Sequence, residues 1–174
     1  MTEAERTKAV AKLASTRERF KQAVAGLSEA QGSYKPSPER WSIAEIAEHV
    51  AIVEHGLYRL ISELHERSDD PHEEQSAATL ALAAHRKKMP IAAPERSLPK
   101  GRFGGVDDAV AKFVDNRERS IEFVKNCTED LRFRLIPHPL GKLNGRDGLT
   151  VLTYHPIRHI EQIEEVKASV DFPR

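Results

Sequence analysis

Apolar residues along this chain recur at helical spacing in four long stretches, and nowhere do they alternate with polar ones over the length of a strand. The first stretch predicts a helix over Thr2 to Ala30. Thr2 and Glu5 make a capping box, and Val10, Leu13, Phe20, Val24 and Leu27 form one stripe. Gly32 ends it, and Pro36 and Pro38 hold the next segment extended. The second helix has the clearest start: Ser42 as N-cap, Glu45 as its reciprocal partner, and Trp41 with Ile46 as a hydrophobic staple. Ile46, Val50, Val53, Leu57, Leu60, Ile61 and Leu64 mark its buried face, and Asp69, Asp70 and Pro71 close it.

Residues 72 to 105 read differently. Glu74 to Lys88 is alanine-rich and predicts a short helix, whereas Pro90, Pro94, Pro99 and glycines 101, 104 and 105 predict irregular chain crossing one end of the bundle. A third long helix follows from Val106 to Asn126, with Val110, Phe113, Val114, Ile121 and Val124 on one side. A loop containing Pro137, Pro139, Gly141, Asn144 and Gly145 leads to the last helix. That helix is capped at Asp147, carries Leu149, Leu152, Ile160, Ile163 and Val166, and ends near Ser169. The fold expected is an all-α four-helix bundle, one domain over 1–174, with an extra short helix or irregular crossover between helices two and three.

Composition narrows the function. Lys plus Arg and Asp plus Glu number 27 each, without like-charge blocks, so a nucleic-acid partner is not indicated. No apolar run is long enough for a membrane span, and the polar residues 1–6 contain no secretory core. A lone Cys127 excludes an internal disulfide framework and points to a reducing compartment. A soluble cytoplasmic protein is expected.

The chemistry lies in three histidines. His155 and His159 are an i,i+4 pair on the inward line from Leu152 to Val166, and His49 follows Ile46 on the inward face of the second helix. Each alone is a core histidine bonded to a polar neighbour. Together, three inward neutral imidazoles are costly without a shared partner, and one divalent metal supplies it, with a coordination position left open. Glu45 and Gln162 are candidates to orient the rings of His49 and His159, although Glu45 is also explained by its cap. Arg117 and Tyr154 are candidates for the substrate pocket, with a structural ion pair as the other role of Arg117. His55, His65, His72, His85 and His138 read as surface or loop residues, His138 being the exception if its loop folds over the site. Pro156 frees the Leu152 carbonyl, so either the last helix kinks there or its regular part begins there.

Two segments resemble a known family. Trp41 to Val50 (WSIAEIAEHV) and Tyr154 to Ile163 (YHPIRHIEQI) are similar to the second-helix and last-helix motifs of the DinB/YfiT-like metal-binding bundle proteins. Pro99 to Phe103, Phe113 to Arg117 and Pro137 to Gly141 fit the same layout, which extends over roughly residues 9 to 170. The resemblance implies an up-down-down-up bundle, commonly a homodimer, with zinc or nickel held at His49, His155 and His159. It further implies a metal-dependent transferase that joins a small thiol to an electrophilic small molecule. A metal-dependent hydrolase and a non-catalytic metal-binding dimer are the alternatives. No DNA role is carried over, because the neutral chain has no basic footprint.

Overall fold

Three capping boxes set where the first helices begin. Thr2 with Glu5, Ser28 with Gln31 and Ser42 with Glu45 each exchange side-chain and backbone hydrogen bonds across the first turn. In this computed structural model, which describes residues 1–75, 80, 84–85, 92–139 and 141–174, they open α1 (Glu3–Val24), α2 (Glu29–Ser33) and α3 (Ile43–Ser62). The single helix expected over Thr2 to Ala30 is therefore two. Gly26 takes a left-handed conformation at φ 71°, and Ser28 restarts the backbone with its own cap. Gly32, expected to stop the first helix, lies inside α2. A Cβ there would come within 2.8 Å of Val106 Cγ2, so its role is close packing.

The remaining long helices are α4 (Val106–Asn126) and α5 (Gly145–Lys167). The contacts fix their directions. Phe20, near the C-terminal end of α1, meets Phe113 at 5.0 Å between ring centres, while Met1 at the opposite end reaches Glu129, so α1 and α4 run antiparallel. Ala51 pairs with Asn116 and Glu54 with Ser120, so α3 and α4 run parallel. Arg146 meets Glu5 and Lys167 meets Ala23, so α1 and α5 run parallel. The order is up-down-down-up, with α1 and α3 each packed between α4 and α5.

The core has two apolar clusters. One holds Phe20, Val24, Ile46, Val50, Phe113 and Ile163; the other holds Leu13, Leu57, Ile61, Ile121, Leu131 and Leu152. Between them lies a polar layer around Arg117, which is 0% exposed. Its guanidinium donates to Leu13 O (3.2 Å), Thr16 Oγ1 (2.9 Å), Glu54 Oε2 (2.7 Å) and Leu152 O (3.0 Å), and so touches α1, α3 and α5 from its own helix α4. The last of these bonds answers the proline question. Helix α5 runs unbroken through Pro156, and the carbonyl that proline leaves without its helical partner is taken up by Arg117.

The loop expected between α4 and α5 contains a hairpin. Strands β2 (Arg134–His138) and β3 (Gly141–Asn144) pair antiparallel, with β1 (Glu66–Arg67) on the far side of β2. Prolines 137 and 139 hid it, since proline removes a ladder hydrogen bond. Here β1 reaches only as far as Leu135, so Pro137 faces no third strand. The hairpin is held on α5 by close approach: a Cβ at Gly148 would lie 2.6 Å from Ile136 Cδ1. The last helix is capped by Asn144 rather than Asp147, whose carboxylate instead accepts from the Gln75 amide. Most of the short helix expected over Glu74 to Lys88 lies outside the described residues. The crossover beyond it carries a 3-10 turn at Glu95–Ser97 and turns through Gly105.

Candidate metal centre

The inward faces of α3 and α5 bring His49, His155 and His159 together. One nitrogen from each lies within 4.8 Å of the others, and the ring centres are 4.5 to 5.2 Å apart. Their hydrogen bonds assign the tautomers. His49 Nδ1 lies 2.7 Å from the Ser97 carbonyl, and His159 Nδ1 lies 2.9 Å from Gln162 Oε1. Both partners are acceptors, so both Nδ1 atoms carry the proton and both Nε2 atoms are unprotonated. His159 Nε2 and His155 Nε2 are 3.1 Å apart. Two imidazoles bound to one ion at about 2.0–2.1 Å stand about 3 Å apart, so the donor set fits one divalent metal. Burial lowers the pKa of His49 and, well below the ordinary 6.5, that of His155, where the neighbouring His159 and His49 add to the effect. All of this keeps the neutral, ligating form.

Several other side chains stand where sequence reasoning did not put them. Glu45 does not touch His49: its carboxylate accepts from the Ser42 amide and from Lys35 Nζ, so it serves the cap. The carbonyl of Ser97 takes its place, contributed by the crossover 48 residues away. That segment is fastened by Glu48, a buried carboxylate accepting from the amides of Lys100, Gly101 and Arg102. A glutamate beside His49 on an apolar face was the one sequence signal for this anchor; nothing in the sequence signalled Ser97, because its contribution is backbone. Arg117 is no pocket residue, since its guanidinium is wholly enclosed by the polar layer.

The imidazoles open onto a cleft of about 770 Å³ that Tyr154 does line, together with Trp41, Arg96 and Arg158. Trp41 packs beside His49 at 4.9 Å between ring centres. His138 also faces the cleft from β2. Burial, with a contribution from Arg96, pushes its pKa down to about 4. His55 sits at the exposed rim, His85 pairs with Glu161 at 2.7 Å, and Cys127 is buried at the end of α4. Among the described residues no helix is long and apolar enough to cross a membrane.

Comparison with known proteins agrees with this geometry. The sequence profile of the DinB superfamily matches residues 12–163. The uncharacterized protein YuaE of Bacillus subtilis (strain 168) is 26% identical over 147 residues, covering 84% of this chain and 89% of that protein. The structure is similar to YfiT from Bacillus subtilis, described as a probable metal-dependent hydrolase with an unusual four-helix bundle topology. The TM-score is 0.64 at 16% identity, over 99% of this chain and 91% of that one. At that identity the likeness is one of fold.

Proposed function

The chain belongs to the DinB superfamily, and from that premise we propose that it is a divalent-metal-dependent enzyme whose reaction takes place in the cleft at His49, His155 and His159. One observation carries the reading: Ser97 O and Gln162 Oε1 fix the protons of two rings on Nδ1, so that their Nε2 lone pairs face the cleft. Zinc and nickel both suit an all-imidazole set. When bound, such an ion supplies Lewis acidity that lowers the pKa of a thiol or a water.

Of the chemistries open to such a site, we favour transfer of a small thiol to an electrophilic small molecule. A thiolate is a nucleophile once deprotonated, whereas hydrolysis calls for a base that orients water. The glutamates that flank these rings in sequence serve other partners: Glu48 is tied to the crossover amides, Glu45 to its cap and Glu161 to His85. Arg158 and Arg96 place positive charge near the cleft, which favours an anionic nucleophile. Hydrolysis is the second reading, favoured by the description of YfiT.

The test begins with metal. Protein purified without a nickel column is expected to hold about one divalent ion per chain, and His155→Ala to lose most of it. Metal-loaded protein is then screened against thiols paired with electrophiles, with thiol-free controls. Electrophile consumption that needs both thiol and metal supports transfer, and consumption without thiol supports hydrolysis. Less than about 0.1 ion per chain, with none regained from added zinc, removes the reading.

A further inference from the structure

The bundle core leaves part of the apolar stripe on α3 unused. Val53 and Leu60 are only half-buried and Leu64 is 55% exposed, although all three continue the stripe that the sequence assigns to the core. All three line the cleft, Leu60 while also packing against the core. Positions 49, 53, 56, 60 and 64 follow one another every three or four residues. They form a single strip that starts at the imidazoles, runs about 17 Å along α3 to position 60 at 1.5 Å per residue, and continues past the helix end to Leu64.

Gly56 interrupts that strip inside α3. Among the described residues a Cβ there would meet nothing within 4 Å, so no packing contact among them requires glycine. Glycine inside a helix costs about 1 kcal/mol relative to alanine. What it does achieve is a bare floor, on which a ligand lies against the backbone. Charge comes from the crossover. Arg96 is exposed on the cleft beside Ser97, and among the described residues no carboxylate pairs with it. The carboxylate on that rim, Glu39, accepts from the Ser37 hydroxyl.

We propose that the electrophile this cleft accepts is an amphipathic organic anion, with its carboxylate at Arg96 near His138 and its apolar body along α3 over Gly56. The proposal rests on the cleft being the active site and specifies which class of small molecule enters it.

Trp41 is the only tryptophan and lines the cleft, so its fluorescence reports occupancy without turnover. Metal-loaded protein is titrated with decanoate, decanamide and propionate. Decanoate is expected to give a saturable change, decanamide to bind about tenfold more weakly, and propionate not to saturate. Arg96→Gln should bring decanoate to the level of decanamide. Gly56→Leu should weaken both ten-carbon ligands about tenfold without lowering the melting temperature. Decanoate that binds no better than decanamide or propionate, or that is indifferent to either substitution, overturns the proposal. Metal content and thiol-dependent turnover of the same preparations keep the two readings apart. An active, metal-loaded protein indifferent to decanoate loses only this inference. A metal-free, inactive protein that binds decanoate in the expected pattern loses the enzymatic reading and keeps the ligand class.

Discussion

Gln162 of the same helix orients the ring of His159, its Oε1 lying 2.9 Å from Nδ1. Removing an outer partner of this kind typically weakens metal binding about 10- to 100-fold. Gln162→Leu is therefore expected to lower metal affinity within that range while the helix persists, as read by competition with a chelator of known strength. Unchanged affinity would show that the ring holds its orientation without Gln162. Glu45→Gln, in contrast, should leave the metal alone, because the Glu45 carboxylate serves Ser42 and Lys35 and glutamine also completes a capping box.

Between elements, Arg117 acts as the cross-brace. It neutralises Glu54 on α3, occupies Leu13 O on α1 and takes up the Leu152 carbonyl that Pro156 leaves on α5. Arg117→Met strands a buried carboxylate and a buried carbonyl. The expected cost is about 3–5 kcal/mol, which in a domain of this size lowers the melting temperature by roughly 6–20 °C. Adding Glu54→Leu removes the stranded charge and should restore part of the loss. A single variant that melts with the parent would show that this layer contributes little.

For the whole molecule, the buried imidazoles make stability depend on pH. Burial lowers the pKa of His49 and His155, and burial together with Arg96 holds His138 at about 4, against an ordinary 6.5. Below 6.5 the unfolded chain takes up protons that the folded one refuses. Stability contributed by these groups is therefore complete above that value and falls as pH drops toward about 4. Metal-free protein should melt at progressively lower temperature on acidification through this window, and His138→Asn should make the slope shallower. Equal slopes for variant and parent would mean that His138 titrates normally.

The sequence determined the four long helices, because capping residues and apolar spacing are local and act within a few residues of chain. It also determined that His49, His155 and His159 point inward, since direction on a helix follows from spacing. What it could not give was which partner meets which side chain across the bundle. The Ser97 carbonyl at His49, the wholly enclosed Arg117, the proline-bearing hairpin and the reuse of Val53, Leu60 and Leu64 as a cleft wall all depend on segments distant in the chain. An apolar stripe states that a face avoids water. Whether protein or a ligand covers that face depends on how far apart the helices stand, and only the tertiary packing sets that distance.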